Sequence, residues 1–214
     1  LAKSAPSKPT APLAQRGAVP SIDILLPAKE RFTAQNAGAI SGVVSDLVKA
    51  SETPECFRVV GTWVEPPLPG HAFLGLRAKG GWFRGQNIGC AARYLAQIAT
   101  TGAPDLIEVH SRCHVARYLK TKRPDLRVSL YLHNDPRTMR GAHTPAQRKA
   151  LLRDLAGIIC VSDYIRNCFL DGLNADENQA AKVGVARNGA KRWLTAQPEK
   201  QPIILIAGRM VPEK

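Results

Sequence analysis

The clearest chemistry in the sequence lies near its C-terminal end. The apolar run Ile203–Ala207 is followed by Gly208, and two cations, Arg209 and Lys214, stand five positions apart in the segment after it. The apolar run predicts a buried parallel strand, and open α/β sheets bind ligands beyond the carboxyl ends of their strands. A glycine followed by a guanidinium and an ammonium group suits a diphosphate, whose charge both can hold. The chain starts at Leu1, not at a methionine, and stops before a helix could follow this loop. It is therefore read as a fragment of a longer protein, one that on its own would not complete a catalytic cycle.

Other polar groups fall where predicted strands end. They are Gly38 in the loop Lys29–Gly38, His110, the run His133-Asn134-Asp135, Ser162, and Asn188-Gly189. Scattered in sequence, they are expected to gather along one edge of a parallel sheet. Each also has a simpler explanation. Asn36-Ala37-Gly38 and Asn188-Gly189 are turn formers, and His133 fits a satisfied core histidine. Ser162-Asp163 reads as a helix cap. As a functional loop, the turn at Gly38 would lay backbone N–H groups at a helix N-terminus against a phosphate or sugar. His110 and His114 are four apart, but His110 sits at a strand end, so the pair does not read as a metal site and none is expected. Neither a Walker loop nor a hydrolase nucleophile elbow occurs.

The elements that must position these residues alternate. Strands are predicted at Ile22–Leu26, Phe57–Val64, Asp105–Val109, Arg127–Leu132, Gly157–Val161 and Lys182–Ala186. Helices are predicted at 38–50, 88–100, 114–122, from Thr144-Pro145 onward, and from Ser162-Asp163 through Leu173. Threonine before proline suits a cap and first turn. For the helix at 88–100, Cys90-Ala91-Ala92 and Leu95-Ala96 are the expected buried side. The segment 65–85, with three prolines and five glycines, reads as a long loop, and its Gly80-Gly81-Trp82 stretch as mobile or in touch with a ligand. The alternation predicts right-handed βαβ units. The expected fold is thus α/β: a Rossmann-like, mostly parallel sheet with helices on both faces. Residues 1–20 read as a disordered tail or linker, 21–196 as one domain, and 197–214 as a linker plus the first strand of a second domain.

Composition narrows the setting. Hydrophobic residues make up 44% of the 214 and charged residues 22%, ordinary for a globular protein. No apolar stretch approaches the roughly 18 residues of a membrane span. The net charge of +13, from 30 basic and 17 acidic residues, points to an anionic partner or surface. Basic residues are spread out and not interleaved with aromatics, so nucleic acid is not expected. Five cysteines without close pairing predict free thiols and a reducing, cytoplasmic compartment.

Taken together, the stretches Asn36-Ala37-Gly38-Ala39-Ile40-Ser41, Glu108-Val109-His110, Leu132-His133-Asn134-Asp135-Pro136, Ile159–Ile165, Asn188-Gly189 and Ala207–Lys214 resemble a known group. In order and spacing the chain is similar to the retaining, nucleotide-sugar-dependent glycosyltransferases of GT-B fold that build lipopolysaccharide and other bacterial surface glycans. The resemblance implies the N-terminal, acceptor-binding Rossmann-like domain, facing a donor-binding domain across a cleft. It implies that Gly38 approaches the donor, His133 lies by the transferred sugar, and Arg209 and Lys214 grip the diphosphate. Asn188 and Gly189 join the donor side, and His110, Asp135 and Ser162 the acceptor side or cleft. No cofactor or metal is implied. The implied partners are a nucleotide sugar and a glycan or lipid-linked acceptor, with peripheral attachment to the anionic inner face of the plasma membrane. The chain departs from the group at Ser111-Arg112-Cys113, where Asn-Arg-Pro is common, and at Lys191-Arg192 after Asn188-Gly189-Ala190. Alternatives are another GT-B enzyme, such as a nucleotide-sugar epimerase or a phosphorylase, or a non-catalytic nucleotide- or glycan-binding module.

Overall fold

A computed structural model describes residues 20–77 and 85–189, with Glu199 and Pro202. Seven strands run parallel throughout: β1 Ile22–Leu25, β2 Phe57–Thr62, β3 Ala72–Leu76, β4 Leu106–His110, β5 Val128–Leu132, β6 Gly157–Cys160 and β7 Val183–Val185. Their order across the sheet is β3-β2-β1-β4-β5-β6-β7. The helices are α1 Ala39–Ala50, α2 Gln86–Thr101, α3 Cys113–Lys122, α4 Pro145–Asp154, α5 Asp163–Leu170 and the short α6 Glu177–Ala181. The chain winds outward from β1 in both directions, so β1 and β4, neighbours in space, send their chains opposite ways. That reversal opens a crevice at the carboxyl ends of the two strands.

Alternation along the strands builds two cores. Ile24 and Leu26 join Val59, Val44 and Val48 under α1. Leu25, Val60, Ile107, Val109 and Leu130 face the other way, against Ala91, Tyr94 and Ile98 of α2 and Val115 and Leu119 of α3. α4 and α5 extend that second core through Leu151, Leu152, Ile165 and Phe169. Every residue of β5 is buried, as a central strand requires. One charged group is sealed within the second face. Asp23 of β1, only 2% exposed, accepts two hydrogen bonds from Arg58 at 2.8 and 2.7 Å and one from the Tyr94 hydroxyl at 2.6 Å. Burial and the neighbouring carboxylate push the Tyr94 hydroxyl pKa well up, so it stays a donor.

Helix starts follow the local chemistry. Thr144 and Gln147 form a reciprocal capping box at α4, with Pro145 in the first turn. Ser162 accepts from the Ile165 N–H at 3.3 Å and caps α5. Asp176 caps α6 in the same way.

Three expectations are corrected. The segment 65–85 is not all loop: Ala72–Leu76 is an edge strand paired with β2. An edge strand is half-exposed and lacks a full apolar signature, and Gly75 and the nearby prolines break the pattern further. Helix α5 ends at Leu170, not at Leu173, because Gly172 takes a positive φ of 70° just beyond it. Within α2 the buried positions are Ala91, Tyr94 and Ile98, at three- and four-residue spacing, while Ala96 is exposed. Gly80-Gly81-Trp82, the N-terminal tail and Ile203–Lys214 lie outside the described residues.

Candidate functional site

Parallel pairing brings the carboxyl ends of β1, β4, β5, β6 and β7 to one edge in that spatial order. Gly38, His110, His133, Ser162 and Asn188 therefore follow neighbouring strands along that edge. The strand register does more. His110 pairs with Tyr131, and Glu108 with Ser129. Residues two apart share a face, so Glu108 and His110 of β4 meet Tyr131 and His133 of β5 on the side away from α2 and α3.

There they form a hydrogen-bonded chain. His110 Nε2 lies 2.8 Å from Glu108 Oε1, and His110 Nδ1 lies 2.9 Å from His133 Nε2. Three rings stack around it: His110 on Tyr131 at 4.8 Å between centroids, Tyr131 on His133 at 4.9 Å, and His110 beside His133 at 5.1 Å. The Tyr131 hydroxyl donates to the Ala186 carbonyl at 3.1 Å, tying the stack to the end of β7. His110 is fully buried and His133 half-buried. Burial, then repulsion from the His110 ring whenever that ring is protonated, pushes the His133 pKa down to about 4, so His133 is neutral in ordinary buffers.

The turn after His110 is strained. Ser111 holds a positive φ of 51°, uncommon outside glycine and asparagine, and its buried hydroxyl has no hydrogen-bond partner. Its N–H bonds the Tyr131 carbonyl at 2.9 Å, which aims the chain into α3. Behind His110, a cavity of about 20 Å³ lined by Leu25, Gly61, Asn87, Cys90 and Arg112 has room for a water and nothing larger. A sugar-sized ligand would lie above the strand edge, on the open side of His133.

The other expected residues are held differently. Asp135 accepts from the Arg137 N–H at 2.9 Å and pairs with the Arg137 guanidinium at 2.8 Å, so its carboxylate shapes the turn after β5. The hydrogen bonds from Arg137 hold its pKa below the usual carboxylate range. Ser162 spends its oxygen on the α5 cap. Gly38 is the N-cap of α1 in extended backbone, and the Glu30 carboxylate sits against it. Glu30 Oε2 accepts from the Ser41 N–H at 3.3 Å and the Ser41 hydroxyl at 3.2 Å. A Cβ at position 38 would meet that carboxylate, the end of a flexible side chain, and displace it from the Ser41 N–H. Asn188 and Gly189 are exposed past β7. Arg209 and Lys214 lie outside the described residues. Among the described residues no cluster of three or more His, Cys, Asp or Glu forms a metal site. The five cysteines are free thiols. No described helix is long and apolar enough to cross a membrane.

Glu108 is the site residue that sequence reasoning passed over. The available signal was a carboxylate inside an otherwise apolar strand, two positions before a histidine and hence on the same face.

The lowered pKa of His133 has a measurable consequence. Between about pH 6.5 and about 4 the unfolded chain protonates this histidine and the folded chain does not. The unfolded state then binds more protons, so stability falls as pH drops through that window. His71 and His114, also lowered by burial, act in the same sense. Urea midpoints measured from pH 7.5 to 4.5 should fall steadily, and His133→Gln should flatten part of that fall. Parallel curves for the two proteins would contradict the assignment.

No protein-family model and no curated protein matches the chain. Among solved structures it is similar to the UDP-N-acetylglucosamine 2-epimerase from Rickettsia bellii, at 12% identity and a TM-score of 0.46, over 78% of this chain. The chain spans 44% of that enzyme's length. A likeness of this size assigns neither a family nor an activity.

Proposed function

We propose that the protein takes part in glycosyl transfer from a nucleotide-sugar donor to a hydroxyl of a glycan or lipid-linked acceptor, as one half of a GT-B enzyme of surface-glycan synthesis. The observation that carries this reading is the placement of His133. Its imidazole stands at the open carboxyl end of a fully buried strand, one strand from the crevice between β1 and β4, with its Nε2 held at 2.9 Å from His110 Nδ1. A group so held can bond a sugar hydroxyl in a fixed direction. On this reading Arg209 and Lys214 hold the donor diphosphate and stabilise the leaving charge, as protein cations can without a metal. The loop at Gly38 lines the donor side, with Asn188 and Gly189 further along the same edge. The basic net charge supports attachment to the anionic inner face of a membrane, where lipid-linked acceptors are found.

The test is a panel of UDP-, GDP- and ADP-linked sugars incubated with the full-length enzyme of which this domain is one half, with and without hydroxyl acceptors. Nucleotide diphosphate should be released in step with glycosylation of the acceptor. Absence of both binding and release across the panel would overturn the reading. A second reading, epimerisation of the donor sugar, is favoured by the same imidazole, which could take a proton from carbon as well as from oxygen. It predicts an altered sugar without acceptor and without nucleotide release, which proton NMR of the products distinguishes.

A further inference from the structure

Glu108 has no part in gripping a sugar or a diphosphate, yet its carboxylate is built into the same hydrogen-bonded chain as His133. The donors and acceptors of that chain can be assigned one by one. A carboxylate only accepts, so His110 Nε2 must carry its proton toward Glu108 at 2.8 Å. In a neutral His110 the other nitrogen, Nδ1, is then a bare lone pair. It accepts from His133 Nε2–H at 2.9 Å. His133 thus has its proton on Nε2, and its Nδ1 carries a free lone pair. Among the described residues no group bonds that nitrogen, and it belongs to the half-buried ring at the open edge of the site.

We infer that Glu108, His110 and His133 form a proton relay, in which Nδ1 of His133 takes the proton of a substrate hydroxyl and the positive charge comes to rest on His110 beside Glu108. The step balances. The substrate O–H breaks and His133 Nδ1–H forms. His133 Nε2–H breaks and His110 Nδ1–H forms. The electron pair stays on the substrate oxygen, which bonds to the anomeric carbon while the nucleotide diphosphate leaves with its own pair. His133 is neutral before and after, so its reluctance to hold charge is no obstacle. The imidazolium is formed at His110, which is fully buried and has the carboxylate 2.8 Å away. The stacked Tyr131 fixes both rings and prevents either from turning. The other titratable or charged groups nearby are Cys160 on β6, next to Tyr131, and Arg112, which shares a cavity wall with His110. Glu108 and His110 are positioning residues in this scheme; only His133 meets the substrate. The inference rests on the transfer reading for the identity of the hydroxyl, but the relay itself is a property of the resting protein.

The experiment has two arms. In the first, histidine 15N spectra of the protein without substrate, near pH 7.5, should show Nε2-protonated His133 and Nε2-protonated His110. In Glu108→Gln, whose amide oxygen can still accept from His110, the pair should take up its first proton at lower pH. An Nδ1-protonated His133 at pH 7.5, or a titration that does not move, would overturn the relay. In the second arm, kcat/KM is followed against pH. Glu108→Gln should lower the plateau about 100-fold, the lower end of what a positioned acid–base group contributes, and shift the acid limb to lower pH. A purely structural role for Glu108 would depress the plateau through unfolding and leave the limb in place. If the full-length enzyme turns over no nucleotide sugar, the transfer reading fails, and the first arm still decides the relay.

Discussion

Replacement of His133 by alanine is expected to lower the rate of sugar transfer about 100-fold or more, equivalent to about 2.7 kcal/mol of transition-state stabilisation. The expectation follows from the geometry. The imidazole ends a fully buried strand, bonds His110 at 2.9 Å, and presents its remaining nitrogen at the open edge. Nucleotide affinity should change little, since the diphosphate is assigned to Arg209 and Lys214. Alanine also removes a ring from the stack on Tyr131, so some stability will be lost. His133→Gln separates the two effects. Its amide nitrogen can still donate to His110 Nδ1, yet it offers no basic nitrogen. The glutamine variant should therefore fall nearly as far in rate as alanine while melting closer to the parent protein. Rate per folded molecule, melting temperature and nucleotide affinity measured on one preparation provide the check. A glutamine variant with near-parental turnover would remove His133 from the chemistry.

Replacement of Arg148 by methionine is expected to cost about 3–5 kcal/mol of stability, because buried carbonyls left without a donor cost about 1–3 kcal/mol each. Arg148 lies in α4, is only 2% exposed, and ranks among the largest fully buried side chains of the fold. Its guanidinium donates to four backbone carbonyls: Phe169 at 2.9 Å, Ala142 at 3.0 Å, His143 at 3.0 Å and Asp171 at 2.6 Å. Two of these belong to the end of α5, where unpaired carbonyls gather negative partial charge. The other two belong to the loop that leads from β5 into α4. One side chain thus closes a helix end and anchors the loop that begins at His133. Methionine keeps much of the volume but leaves the four carbonyls without their donor. Arg148→Lys retains the charge with fewer donors in a less suitable geometry, and should lose roughly half as much. Urea unfolding monitored by circular dichroism measures both. A loss below about 1 kcal/mol for methionine would show that water or a local shift satisfies the carbonyls.

Much of this protein was legible in its residues. The alternation of apolar runs with helical spacing was enough for a parallel α/β sheet, because strands buried on both faces read as continuous apolar segments. Capping chemistry located the start of α4 at Thr144-Pro145 and that of α5 at Ser162, since these signals depend only on neighbours in sequence. The strand-end positions of His110 and His133 followed from the same logic. The edge strand Ala72–Leu76 did not, because half-exposed strands carry little periodic signal.

Which side chains touch was settled by the sheet register and the packing of helices. The pairing of His110 with Tyr131 brings Glu108, His110 and His133 into one chain, although 23 positions separate the two histidines. The same holds for Asp23 with Arg58 and Tyr94, and for Arg148 with the end of α5. Asp135, expected in the cleft, is bound to Arg137, two residues away. Local sequence specifies backbone preference through hydrogen bonding and hydrophobic period, both short-ranged. Contacts between distant charged groups depend on strand order and on burial, which raises the cost of leaving any of them unpaired, and only the assembled fold determines either.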